Sequence, residues 1–565
     1  MTTTGTESAR RRSRPSASSA SGRGSFAPGP ERPVRWLRWA AVPFALVYLV
    51  LLAHQLESIV SSANLDADVA SGPVISELFG AAPAHANVVL GEFAWYSTLL
   101  FNLATKWLPA HRQVWAYAPY AMALAAAGLA AWSVSQVADR WAAALTAVLL
   151  ICASPATLHL ELSTTQHAPV WFCLALLGAF LVVLERPGTA LRWPVLIPLV
   201  LAVGTIAGVN AASDPLVSIA VLVPFALALV AARALGPRSH SGRALWTGLA
   251  TLAVTGLAWG ITAVAMSALA VTREPGLHTT RVVVGHKTAA NFTLWWKSIA
   301  VLGNGDYFGR ALSAGSALAF VCAVLSIAAV VSLPWLCWRQ LRSGTRRERS
   351  ADPAASARVA FFVFWCSSAI LLTLAFLFSS APADIGADRY LVGLLYPAAA
   401  AIPAAAAGRP RVAAVVLVGA CIFALGGVVS MAQGGKRLPL RSKPPVTAGV
   451  AHQIADIAAR HHLTIGYAGY WAAAPVTWAT GFRVQVYPVA VCDQREHLCR
   501  FDLHFISSWY WPRSGTGSFL LVDPMTSDVW TRTPDLGPPS AVYHLGRVTM
   551  YVYPYDLAAR IRTRA

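Results

Sequence analysis

WLRWAAVPFALVYLVLLAHQL (36–56) is a predominantly apolar run set between a basic tail and the acidic segment LDADVASGPVISELF (65–79). About 20 such residues in a helix match a bilayer core of about 30 Å. The run is too long for a signal peptide and lacks a clear small-residue cleavage site, so it reads as a retained first span. Residues 1–33 ahead of it are rich in Ser, Arg, Gly and Pro, with Arg10, Arg11, Arg12 and Arg14 clustered. Such a segment buries too little apolar surface to offset its ordering entropy, and it is expected to be a disordered basic cytoplasmic tail.

The same pattern recurs downstream. Further spans are expected at about 114–134, 141–158, 168–185, 193–212, 215–234, 244–270, 313–337, 359–380, 390–407 and 411–430, eleven in all. Composition agrees: the 565 residues are 56% hydrophobic and 12% charged, where soluble domains carry about 25% charged residues. Mean hydropathy is +0.54. Twenty-one Trp suit many membrane–water interfaces. The fold class is therefore a polytopic α-helical membrane protein.

A net charge of +19 could suggest nucleic acid, but its distribution argues otherwise. With the N-terminus inside, the inner loops hold fourteen Arg against four carboxylates, and the outer loops hold eight cations against eleven carboxylates. Lys and Arg retain loops on the cytoplasmic side. The expected topology is a multi-pass plasma-membrane protein with a cytoplasmic N-terminus, an extracytoplasmic C-terminal domain and no nucleic-acid partner. The first outer loop covers 57–113 and contains an amphipathic stretch at 87–108 suited to the interface plane. The membrane domain covers 34–430.

Composition changes from about 436. Segment 448–462 reads as a helix, and 463–470, 482–489, 518–523 and 548–555 read as strands between turn residues. A small α/β domain over 431–565 is expected, with no GxGxxG or P-loop. Cys492 and Cys499 lie in a polar segment there, and an oxidising compartment would permit a disulfide between them.

Several polar groups fall at span ends. Asp66 and Asp68 follow the first span, where a carboxylate can act as base or metal ligand; a solvated acidic loop is the plainer alternative. HLELSTTQH (159–167), expected as the loop between the third and fourth spans, offers His159, Glu161 and His167 for a metal or a polar ligand, or for interfacial capping. Asp214 precedes a proline and reads equally as a helix N-cap. Arg389 and Tyr390 open the tenth span, where Arg389 could meet a phosphate or pair with Asp388. The outer loop 271–310 carries Arg281, Lys287, Trp295 and Trp296, a mixture suited to a phosphate- and sugar-bearing ligand or to anchoring at the interface.

Taken together these features resemble the GT-C superfamily of membrane glycosyltransferases. The details are most similar to uncharacterised actinobacterial members, through Asp68, Ser71, Glu77 and Leu78, through Asn210 with Ser213, Asp214 and Pro215, and through Asp388, Arg389 and Tyr390. The resemblance implies transfer of a sugar from a polyprenyl-phosphate donor to a cell-envelope glycan, lipid or protein at the outer face, among membrane lipids. It implies Asp68 as base, with Asp66 as understudy, and inversion at the anomeric carbon. It casts His159 and Glu161 as orienting the acceptor or a divalent cation, Mg or Mn, which some relatives need and others do not; Asp66, Asp68 and Glu161 would then be its ligands. Arg389, with Arg281 or Lys287, would stabilise the leaving phosphate, and His167, Asp214 and Tyr390 would line the substrate site. The alternatives are a transporter or flippase of lipid-linked sugars, which would favour broken helices and mid-span charges, and a non-catalytic cell-envelope scaffold.

Overall fold

The computed structural model describes residues 39–562 apart from 84, 91–94, 110, 163–166, 187–191, 236–237, 274–280, 348–354, 435–445, 492–496, 502 and 525–535. The tail at 1–33 and Cys492 lie outside the described residues. Helices α1 (Val42–Ala63) and α2 (Ala67–Phe79) are followed by strand β1 (Val88–Leu90), then α3 (Trp95–Thr105) and α4 (His111–Val137). Next come α5 (Arg140–Ile151), α6 (Pro155–Leu162), α7 (Ala168–Glu185) and α8 (Trp193–Ser213). A π-helical turn at Ser218–Leu222 enters α9 (Val223–Leu235), and α10 (Arg238–Ala268) leads to β2 (Val271–Arg273). Helices α11 (His286–Leu302), α12 (Ala314–Arg347) and α13 (Ala355–Leu377) precede a 3-10 stretch, Ile385–Leu394, then α14 (Leu395–Ala406) and α15 (Pro410–Gly434).

Among the described residues, ten helices are long and apolar enough to cross a membrane, and α5 with α6 supplies an eleventh that is bent by 88°. The protein is thus a multi-pass membrane protein, with two departures from the expected spans. The first helix lies later than 36–56, so Asp66 follows it almost directly. The third span, expected unbroken over 141–158, breaks at Cys152–Ser154. The local cause is plain in retrospect: Ser154 Oγ accepts the Thr157 amide at 3.1 Å, an N-cap followed by a proline at the first helical position.

A break inside an apolar bundle needs its backbone groups satisfied by neighbours. Asn304 Nδ2 donates to the Cys152 carbonyl at 2.8 Å and to that of Phe423 at 3.2 Å. Tyr48 Oη donates to the Ala153 carbonyl at 3.0 Å, and the Ser154 amide to that of Leu302 at 3.3 Å. Asn304 itself sits in the left-handed region, φ 65°, at the end of α11, a helix that the loop reading of 271–310 did not anticipate.

Named contacts fix which ends of the spans lie together. Arg112, opening α4, donates to the Gly481 carbonyl at 3.3 Å, while the other end of α4, Val137, accepts from Arg358 of α13 at 3.2 Å. Helix α6 ends beside Asp66, with His159 Nε2 3.8 Å from its carboxylate. The α5–α6 pair therefore carries the chain from one end of the bundle to the other, as one broken crossing.

The C-terminal region contains α16 (Ala448–Arg460), β3 (Ile465–Ala468), α17 (Tyr470–Ala479), β4 (Gln485–Val491), β5 (Leu498–Arg500), β6 (Phe505–Ile506), β7 (Ser518–Val522), β8 (Ala541–Leu545) and β9 (Val548–Tyr553). Six strands form a mixed sheet in the order β5-β4-β3-β7-β9-β8, with β3 parallel to β4 and β7. Alternation along the strands gives it two buried faces. Phe519, Leu521 and Met550 pack with Ile454 and Val476 of α16 and α17, while Tyr467, Leu520 and Tyr553 share a second core with Val88, Leu90 and Val271. A separate small sheet, β2-β1-β6, joins the first loop, the end of α10 and the C-terminal region: Val88 pairs with both Val271 and Ile506. The C-terminal region is thus bonded through backbone to the membrane bundle.

Candidate active site

Asp66 ends the turn after α1 and caps α2, its Oδ1 accepting the Asp68 amide at 2.8 Å. This places Asp68 in the first turn of α2, where the helix dipole favours a negative charge. Helix α2 packs on α17 through Ala70, Val74 and Ala474, small enough side chains for a close approach. The approach brings Tyr470, first residue of α17 and 7% exposed, to Asp68: its Oη donates to Oδ1 at 2.8 Å. The Tyr470 ring stacks on Phe501 with centroids 4.9 Å apart at 14°, and the His504 ring lies 5.7 Å away. Burial first, and then the Asp68 charge, raises the Tyr470 phenol well above its usual range, so it remains a donor. Burial lowers His504 to about 3, leaving a neutral imidazole.

His159 and Glu161 are not in a loop, as the sequence suggested, but on α6. They diverge: His159, 8% exposed, faces Asp66, while Glu161 Oε1 accepts from Tyr396 Oη of α14 at 3.0 Å. Beside that pair lies a cavity of about 50 Å³ lined by Leu49, Leu52, Tyr120, Leu124, Leu150 and Leu158. Leu124 is 53% exposed, so this apolar wall reaches the lipid-facing side of the bundle.

His167 and Asp214 form a buried pair, Nδ1 to Oδ2 at 2.5 Å, with both residues 2% exposed. Asp214 Oδ1 also accepts the Leu216 amide at 2.9 Å, so the capping reading of this residue and a partner role hold together. The His167 ring lies 5.0 Å from that of Tyr390. The Arg389 guanidinium sits 5.2 Å from the Tyr390 centroid, with Nη2 3.4 Å from its hydroxyl. The 3-10 stretch carrying Arg389 can lie this close to α7 because residue 393 is glycine: a Cβ there would stand 2.3 Å from Trp171 Cζ3.

Arg281 and Lys287 contact the loop that precedes Asp384. Arg281 pairs through its backbone with Ser380, at 2.9 Å in each direction, and Lys287 Nζ donates to the Pro382 carbonyl. Both brace the loop that leads to Asp384 and Arg389. Cys499 is disulfide-bonded, and the six cysteines at 152, 173, 322, 337, 366 and 421 are free. Among the described residues no group of three or more His, Cys, Asp or Glu is placed to hold a metal ion. Asp68 and Glu161 are engaged by different tyrosines, so the expected ligand set of Asp66, Asp68 and Glu161 forms no cage.

Sequence reasoning missed Tyr470 and Tyr396. Tyr470 ends the stretch 463–470 read as a strand; it in fact starts a helix, and no local pattern ties it to an Asp four hundred residues earlier.

No protein-family model and no curated protein sequence matches the chain. Among solved structures, an oligosaccharyltransferase of Archaeoglobus fulgidus tethered to an acceptor peptide is similar at 12% identity and TM-score 0.47, over 86% of this chain and 69% of that one. ArnT of Cupriavidus metallidurans, bound to undecaprenyl phosphate, is similar at 14% identity and TM-score 0.43, over 89% and 97%. In the apo state it is similar at 14% and 0.44, over 91% and 98%. Likenesses this distant carry no functional conclusion, which rests on the site itself.

Proposed function

We propose that this protein is an integral membrane glycosyltransferase that moves a sugar from a polyprenyl-phosphate donor to a cell-envelope acceptor. The observation that carries the reading is the placement of Asp68, engaged by Tyr470, and of Arg389, beside Tyr390, at one end of the bundle, near an apolar cavity that reaches its lipid-facing side. A lipid-borne phosphosugar needs those three things: a base for the acceptor hydroxyl, a cation for the leaving phosphate, and a wall for the chain.

Asp68 takes the hydroxyl proton as the acceptor oxygen bonds to the anomeric carbon. The bond from that carbon to the phosphate oxygen breaks, and its electron pair leaves with the lipid phosphate, stabilised by Arg389. Attack opposite the leaving group inverts the carbon. His159 orients Asp66, the His167–Asp214 pair backs Tyr390 and Arg389, and Arg281 and Lys287 act through the loop they brace. No step runs through a metal. The site end faces outward and the N-terminus faces the cytoplasm. This orientation is supported by the loop charge bias and by three Arg–Trp stacks at the opposite end: Arg243 over Trp193 at 4.9 Å, Arg339 over Trp335 at 5.2 Å and Arg342 over Trp338 at 4.1 Å, as expected for interface anchors.

The broken third span gives the transporter reading one supporting observation of its own. The two are separated by reconstituting the protein in liposomes with labelled polyprenyl-phosphate sugars and an envelope extract. Wild type is compared with Asp68→Asn and Asp66→Asn, each with and without a chelator. Transfer by wild type that vanishes in folded Asp68→Asn supports the proposal. An inactive wild type that equilibrates the lipid between leaflets overturns it in favour of transport.

A further inference from the structure

The transfer as written uses Asp68 and the membrane bundle, and gives the outer sheet no part. We infer that the C-terminal region completes the active centre, and that Tyr470 is a positioning residue that holds Asp68 by Oδ1 so that Oδ2 takes the acceptor proton. The inference rests on the transferase reading.

A base must be held within about 0.5 Å of its working position by groups that are themselves fixed. Asp68 sits in the first turn of α2 on a short side chain, and the orientation of its carboxylate is set by the groups that engage it. Tyr470 engages it at 2.8 Å. The phenol is fixed in turn by the stack on Phe501 and by its place at the first turn of α17. The far end of α17 is pinned to the membrane bundle: Arg112 lies over Phe482 at 4.9 Å and over Trp478 at 5.9 Å and binds the Gly481 carbonyl. A buried phenol that merely filled space would be disfavoured against phenylalanine, because an unmatched hydroxyl is costly to bury; here the hydroxyl has a carboxylate partner. Docking of the outer sheet and orientation of the base are therefore one event, through α17.

The test compares wild type, Tyr470→Phe and Phe501→Leu, each checked for an unchanged melting transition. Tyr470→Phe deletes Oη and keeps the ring; Phe501→Leu loosens the stack and keeps the hydroxyl. The first readout needs no activity: the infrared carboxylate stretch assigned to Asp68 by its loss in Asp68→Asn. Removal of the phenol donor shifts that band in Tyr470→Phe. The second readout is steady-state transfer. A lost hydrogen bond to a charged group corresponds to a fall in kcat of ~10- to 100-fold. Donor and acceptor KM stay within about twofold, because the contact is not made to substrate. Phe501→Leu gives a smaller fall in kcat and a partial shift. An unshifted band, or a shifted band with wild-type kcat, overturns the positioning role and leaves the transferase standing. A wild type that transfers no sugar removes the transferase reading and the catalytic meaning of the contact together.

Discussion

The amide of Asn304 is one of the groups that satisfy the break in the third span, and replacing the residue with alanine measures what that amide does. Its Nδ2 is the donor to two carbonyls, those of Cys152 and Phe423, at 2.8 and 3.2 Å. The Phe423 carbonyl lies inside α15 and keeps its helical bond, so the Cys152 carbonyl is the buried acceptor left without its donor, which makes local opening easier by about 1–3 kcal/mol. At about 1.4 kcal/mol per factor of ten, the open population rises at least ~5-fold. Cys152, 0% exposed at the break, is a built-in reporter. Where reclosing outpaces labelling, the rate of alkylation tracks the open population. The assay is maleimide labelling of purified protein, followed by peptide mass mapping. Cys152 should label at least ~5-fold faster in Asn304→Ala, while Cys173, equally buried on α7 but away from the break, keeps its rate. The reasoning is refuted if Cys152 labels no faster in the variant. It is refuted equally if Cys173 accelerates in step, since the amide would then support the whole bundle rather than the break.

Other consequences are as direct. Gly393→Ala forces a methyl group onto the Trp171 ring, at 2.3 Å; overpacking of this kind costs about 1–3 kcal/mol and displaces Arg389, so thermal unfolding and sugar transfer both fall. Gly256→Ala, with nothing within 4 Å, leaves both unchanged. Asp214→Asn removes the acceptor of the 2.5 Å contact to His167 while keeping the cap on Leu216, and loses about 1.5–3 kcal/mol. A double-mutant cycle with His167→Gln, read by denaturation in detergent, shows coupling if the pair is the source. His504 accepts a proton near 6.5 when unfolded but only near 3 when folded. The unfolded chain therefore binds more protons between those values, and stability is present above about 6.5 and is lost as pH falls toward 3. His504→Asn, which tolerates the left-handed φ of 56°, flattens that loss. Equal melting shifts between pH 7 and pH 5 in both proteins would exclude this source.

Much of the architecture is set by local composition. A run of about 20 apolar residues has one way to cross hydrocarbon with its backbone bonded, so WLRWAAVPFALVYLVLLAHQL and its successors determine a multi-span bundle without reference to one another. Four of the nine strands described were equally legible, in IGYA, QVYPVAV, SFLLV and VTMYVY, because alternation and β-branched content are local properties. The Asp214 cap could be read for the same reason, since its bond to the Leu216 amide reaches only two residues along the chain.

What the tertiary structure decided are the meetings between distant segments. A span reading sees 141–158 as continuous because hydropathy averages over Ser154 and Pro155; the break becomes tolerable only through Asn304 and Tyr48, which reach it from other helices. The partners of His167, Glu161 and Arg389 follow from how α6, α7, α14 and the 3-10 stretch pack, and glycine at 393 sets how close two of them come. The hydrogen bond from Tyr470 to Asp68 joins the last third of the chain to the turn after its first span. No periodicity encodes such a contact, because it depends on the packing of α17 on α2 and not on the spacing of either residue's neighbours.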